Sequence, residues 1–353
     1  MTTEESARLV RYGKPSEDLL RHKESFFEQN DMHREETLRV FNLYAQQPRR
    51  VRCKCCDEFL GDVSFTKLGI DYILCTTCGH LNGAHEDTVE FCQAVYADDG
   101  GGHRVNYDAK SDADYRNRTH DIYVPKAMFL ADALAACGEV HNEMSYADLG
   151  AGSGHFVSAL QRCGMGKVRG FETSAAQVDL GNRMNGGDKL ERCGLNDITQ
   201  IAASIDAQVL SLVHVLEHLR APRELLSCLK KNKSVKYLFL AVPLFSPSVF
   251  FEMIFPTVFH RNLACGHTHL YTDSSLEWLC REFGFSRVAE WWFGTDVVDW
   301  YRNVMVRARQ QQETAKMADL WAELWAPAID DLQLELDRRR MSSEVHLLLR
   351  IER

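Results

Sequence analysis

From about residue 145 onward the chain alternates short apolar runs with longer amphipathic ones. No other feature constrains the fold as much, because such alternation prescribes a mostly parallel sheet covered by helices. Residues 145–149, 168–172, 207–212, 237–242, 287–292 and 345–351 read as strands, and 155–163, 175–184, 222–229 and 274–283 as helices. Residues 297–340 carry a long helical pattern, so the last strand arrives late. Ahead of this region, residues 1–50 are polar, with Leu38, Phe41 and Tyr44 near helical spacing. Cysteine pairs follow on short strand-like runs such as Tyr72-Ile73-Leu74, then a loop at 98–102 and a helical pattern at 115–137. The expected division is a helical extension at 1–50, a cysteine module at 51–85, a helical linker at 86–137 and an α/β domain at 138–353.

Glycines are needed where a strand hands over to a helix and the backbone must turn tightly against a ligand. The run Asp148-Leu149-Gly150-Ala151-Gly152-Ser153-Gly154-His155 is such a place, and a second strand ends at Glu172, where a carboxylate can accept both hydroxyls of a ribose. A dinucleotide loop has the spacing G-x-G-x-x-G. Here the glycines run G-x-G-x-G, and His155 takes the place of the last dinucleotide glycine. Asp148 would repel a pyrophosphate but attract the ammonium of a methionine moiety. The pattern favours a sulfonium cofactor over a dinucleotide.

Asp148 to Gly154 resembles the first motif of class I methyltransferases, and Phe171-Glu172-Thr173-Ser174 their second. The segment His214-Val215-Leu216-Glu217-His218 is similar to the fourth-strand motif of many small-molecule methyltransferases. The likeness returns at His269-Leu270-Tyr271-Thr272 and Gly284-Phe285, so it spans roughly residues 120–295. It implies an α/β, Rossmann-like class I methyltransferase sheet, mostly parallel with its last strand antiparallel, and S-adenosyl-L-methionine as cofactor. By the same resemblance Asp148, Gly150, Ala151, Gly152, Gly154, Glu172, Thr173 and His214 surround the cofactor. Asn196 or Asp197 would lie near the adenine, though both are equally readable as turn residues.

Cys53-x-x-Cys56 and Cys75-x-x-Cys78 are separated by 18 residues, a spacing suited to a four-thiolate Zn2+ site. Gly61 and Gly79 fall near the turns such knuckles need, and Cys55 and His80 are alternative ligands. A zinc knuckle ahead of this methyltransferase pattern resembles the sugar C-methyltransferases and related enzymes of polysaccharide clusters. That resemblance implies a small N-terminal zinc-binding module and a catalytic His in the loop after the fifth strand. His269 falls on that histidine, while His267 replaces the group's tyrosine. His269, His218 and His267 are therefore the candidates for the group that takes the acceptor's proton.

A net charge of −9 argues against a partner held mainly through its phosphates, so a nucleic acid is not expected. The most apolar stretch, residues 237–259, is interrupted by Pro243, Pro247, Glu252 and Pro256, which makes it a poor membrane span. Twelve cysteines behind a charged start suggest a reducing, cytoplasmic setting. The expected activity is methylation of a small-molecule acceptor, a nucleotide-linked sugar or natural-product intermediate. An RNA methyltransferase that grips its substrate through the zinc module, and a non-catalytic cofactor-binding scaffold, are the competing expectations.

Overall fold

The computed structural model describes residues 8–23, 25–97, 111–195, 197–264 and 266–353. In chain order the strands are β1 (Leu9–Tyr12), β2 (Phe65–Lys67), β3 (Ile70–Leu74), β4 (Leu81–Gly83), β5 (Ser145–Leu149) and β6 (Lys167–Glu172). There follow β7 (Leu190–Arg192), β8 (Val209–Val213), β9 (Tyr237–Pro243), β10 (His269–Leu270), β11 (Phe285–Phe293) and β12 (Glu344–Ile351). The larger sheet has the order β1-β11-β12-β9-β8-β5-β6-β7. All its pairings are parallel except the two made by β12, which runs antiparallel between β11 and β9. The expected Rossmann-like sheet with its antiparallel last strand is therefore present.

Burial explains the order. Every residue of β9, Tyr-Leu-Phe-Leu-Ala-Val-Pro, is buried, as a central strand covered on both faces requires. β7 and β1 lie at the two edges and were not apparent in the sequence. In Leu190–Arg192 only Leu190 is buried, and the four half-buried residues of β1 are too few to show a period. β1 pairs parallel with β11 from Leu9↔Ala289 to Tyr12↔Trp292, so the first 50 residues are not purely helical. The helix Asn30–Ala45 that follows packs Val40, Phe41 and Tyr44 against Ile70, Tyr72 and Leu81.

The cysteine module is welded to the α/β domain. The smaller sheet runs β10-β4-β3-β2, and β10 comes from the loop after β9, with His269 opposite Asn82. A buried ion pair pins the same loop: Lys67 Nζ meets Glu252 at 2.7 Å, and the Glu252 carboxylate accepts the backbone N–H groups of Arg261, Asn262 and Leu263. Among the described residues no helix is long and apolar enough to cross a membrane. The loop expected at 98–102 lies outside the described residues.

Candidate active site

A cavity of about 440 Å³ opens at the carboxyl ends of β5, β6, β8 and β9, where ligands bind in open α/β sheets. Its floor includes Asp148, Gly150, Ala151 and Gly152, its sides Glu172, Thr173, His214, His218 and His267. Gly150, Gly152 and Gly154 all have positive φ (68°, 55° and 75°), which L side chains rarely adopt. A Cβ on Gly150 would sit 2.6 Å from Val215 Cγ2, so close approach fixes this glycine as well.

Glu172 organises the loop. Its carboxylate accepts Gly152 N–H at 2.8 Å, Thr173 N–H at 2.7 Å and Ser174 N–H at 3.0 Å. The Thr173 hydroxyl also donates to it at 3.0 Å, so three donors share Oε1, and Oε2, with one, keeps room for a ligand hydroxyl. Asp148 is buried, which pushes its carboxyl up to about 7 against the Ser211 hydroxyl that donates to it at 2.6 Å. Behind the loop, His155 is stacked between Tyr115 and Tyr123 at 4.0 and 5.1 Å, and Tyr115 Oη donates to Ser153 O. Thus His155, the residue that breaks the dinucleotide pattern, serves as packing under the loop.

His214 has φ of 56° at the end of β8, and its Nε2 lies 3.0 Å from Glu344. Burial disfavours its imidazolium, but Glu344 and Glu217 outweigh that and raise it above the ordinary value. Glu217 and His218 follow in the turn Leu216–His218. The rings of His218 and His267 stack at 5.0 Å, both on the cavity wall. His267 Nδ1 lies 2.9 Å from Asn262 O. A carbonyl only accepts, so Nδ1 carries the proton and Nε2 is left bare.

Two of the expected positions lie off the cavity lining. His269 does not line the cavity: it is held in β10, 1% exposed, with Nδ1 2.8 Å from His80 Nε2 behind the wall. Pairing with Asn82 dictates that direction, since alternate residues of a strand face opposite ways. Asp197 is exposed and turns its carboxylate to Gly194 N–H at 2.8 Å, while Cys193, Leu195 and Ile198 line this end of the cavity. Asn196 lies outside the described residues.

The sulfurs of Cys53, Cys56, Cys75 and Cys78 all lie within 4.8 Å of one another, and all four are buried and free of disulfides. The 3.6 Å between Cys53 and Cys78 and the 3.5 Å between Cys56 and Cys75 far exceed a disulfide bond. They approach the edge of a tetrahedron with ~2.3 Å metal–sulfur bonds. Each knuckle closes the same way: Asp57 (φ 64°) donates to Cys53 O and Gly79 (φ 76°) to Cys75 O. Asp57 therefore takes the turn position expected of Gly61. Cys55 instead donates to Ser275 O, and His80 is occupied with His269.

One part of the cavity had no signal in the sequence. The segment after β1 crosses the opening, placing Lys14, Ser16, Leu19, His22, Lys23 and Phe26 on its lining. Among the described residues no carboxylate lies within ion-pair distance of Lys14 or Lys23. Burial, with Lys126 nearby, lowers Lys14 to about 8, and burial beside Arg261 pushes Lys23 well below its ordinary range.

Residues 123–290 match a family model described as a methyltransferase domain. No curated protein matches the chain. Similar solved structures include magnesium protoporphyrin IX methyltransferase from Synechocystis PCC 6803 with bound SAH. It is 15% identical, with 55% of this chain and 87% of that one covered at a TM-score of 0.41. Geranyl diphosphate C-methyltransferase from Streptomyces coelicolor A3(2) is 14% identical, with 69% and 86% covered at a TM-score of 0.41. The sheet order and the glycine loop agree with the family match: residues 123–290 carry the pattern of a methyltransferase domain on a Rossmann-like sheet.

Proposed function

We propose that the protein methylates an anionic small molecule, a nucleotide-linked sugar being the class the sequence favours. The observation that carries this is the pair Lys14 and Lys23 on the cavity lining, neither in an ion pair with a described carboxylate, Glu344, Asp18 and Asp299 acting on them only from further off. A recessed cation without a counter-charge is costly, and an acceptor phosphate or carboxylate would supply it. In this reading Asp148, Gly150, Ala151, Gly152, Gly154, Glu172, Thr173 and His214 hold the cofactor. Methyl transfer forms a bond from the acceptor to the methyl carbon as the carbon–sulfur bond breaks, and the sulfonium leaves as a neutral thioether. The acceptor's proton is drawn off at the wall formed by His218 and His267.

The four cysteines fit Zn2+ by donor set, burial and spacing, and with four ligands such a site is structural. Cys53, Cys56, Cys75 and Cys78 would then fold the module onto which β10 and the His267 loop are fastened.

The test is a panel of nucleotide-linked sugars and other anionic metabolites, scored by mass gain of one methyl. Lys14→Ala/Lys23→Ala should raise KM for the accepted compound by about tenfold or more while kcat changes little. Preference for uncharged acceptors in wild type and variant alike would contradict the reading.

A further inference from the structure

Glu217 is a buried carboxylate whose charge the surrounding protein leaves largely unanswered. It is 1% exposed, and neither carboxylate oxygen has a hydrogen-bond partner. The nearest nitrogens are His214 Nδ1 at 3.4 Å and His218 Nε2 at 4.0 Å. Buried polar groups in folded proteins are almost always satisfied, so two orphan oxygens on one carboxylate call for a missing partner. Glu217, His218 and His267 each offer a ligand atom, and these atoms all lie within 4.8 Å of one another.

We propose that Glu217, His218 and His267 bind a divalent transition-metal cation at the cavity wall. The donor set is two imidazoles and one carboxylate, which suits Mn2+, Co2+ or Zn2+ and leaves a position open. His267 is prepared for the part: its Nδ1–H is spent on Asn262 O at 2.9 Å, which is how metal-binding histidines are commonly oriented. Bonds of ~2.0–2.2 Å in a tetrahedral arrangement require the ligand atoms to draw together, a movement within reach of the Glu217 side chain.

The neighbouring trio His214, Glu344 and His346 is a useful contrast. There Glu344 already receives Lys126 Nζ at 3.2 Å, His214 at 3.0 Å and His346 at 2.7 Å, so no charge is left over. Of these two trios, the one at Glu217 is the one whose carboxylate lacks such company. His218 and His267 line the cavity while Glu217 sits just behind it, so the open position faces the acceptor. This deepens the proposed methyl transfer and rests on it for one point. With a metal there the His218 and His267 rings would be ligands and no longer bases: the metal would bind an acceptor oxygen and acidify its hydroxyl, whose proton would leave to water in place of the imidazole wall.

The experiment is calorimetric titration of Mn2+ into the full-length protein with saturating S-adenosylhomocysteine, followed by elemental analysis. Manganese is chosen because thiolates prefer softer metals, which keeps the cysteine cluster out of the measurement. One Mn2+ per chain is expected, weakened on the order of 100-fold or more in Glu217→Gln and in His267→Asn, with S-adenosylhomocysteine affinity preserved. Absence of binding to wild type, or equal binding to both variants, overturns the proposal. Should methyl transfer need His267 while wild type binds no Mn2+ and works after chelation, the metal site falls and the methyl-transfer reading stands. Should Mn2+ bind as expected while no acceptor is ever methylated, the reverse holds.

Discussion

The backbone N–H of Gly152 donates to the Glu172 carboxylate across 2.8 Å, tying the loop after β5 to the end of β6. The carboxylate is thereby oriented before any ligand arrives. Glu172→Ala removes the loop's anchor and an acceptor of charge-assisted hydrogen bonds together. S-adenosylhomocysteine affinity should fall by about 10–100-fold by titration calorimetry, each such bond contributing ~1.5–3 kcal/mol. Unchanged affinity would remove Glu172 from the cofactor site.

The glycine loop, its acidic partners and the order of βα units were legible because each follows from local chemistry. Positive φ demands glycine at 150, 152 and 154, and a fully buried strand demands a run such as Tyr237–Pro243. What escaped depends on distant partners. Leu9–Tyr12 is a strand because the edge of β11 is available, and Lys14 and Lys23 reach the cavity only because that strand aims the chain across it. His269 follows the same rule: the family resemblance implies a catalytic loop there, but pairing with β4 holds it off the cavity lining.

Asp148 provides a pH test. Burial raises its carboxyl to about 7, so the free protein holds it protonated below that pH. The ammonium of the cofactor favours the ionised form. Binding below pH 7 must therefore expel a proton, and S-adenosylhomocysteine affinity should fall by up to ~10-fold per pH unit from 7 to 5.5. Affinity of Asp148→Asn should be lower at pH 8 and nearly flat across the range. A wild-type profile as flat as the variant's would show that Asp148 does not titrate in binding.

Zinc removal should be felt at a distance. Elemental analysis should find about one zinc for the four-cysteine site, lost in Cys53→Ser. Since β4 and β10 share a sheet, loosening the module should also lower methyl transfer through the His267 loop. Full activity in a zinc-free variant would separate module from site.

The pair Lys67 and Glu252 holds residues 261–263, which flank the cavity. Lys67 keeps the Glu252 carboxyl down at about 2 despite its burial, so its contribution to stability is complete above the unfolded value and fades as pH falls toward 2. Lys67→Met leaves that carboxylate buried without its cation and should cost about 3–5 kcal/mol in chemical denaturation. A loss under ~1 kcal/mol would mean that the backbone N–H groups alone sustain Glu252.

The central claim is that this cavity passes a methyl group from S-adenosylmethionine to an anionic small molecule. Formation of S-adenosylhomocysteine, followed by mass spectrometry with each acceptor of an anionic panel, measures it most directly. The account predicts cofactor turnover matched one for one by methylated acceptor, with KM raised in Lys14→Ala/Lys23→Ala. Failure to bind S-adenosylhomocysteine, with tight binding of a nicotinamide dinucleotide in its place, would contradict it.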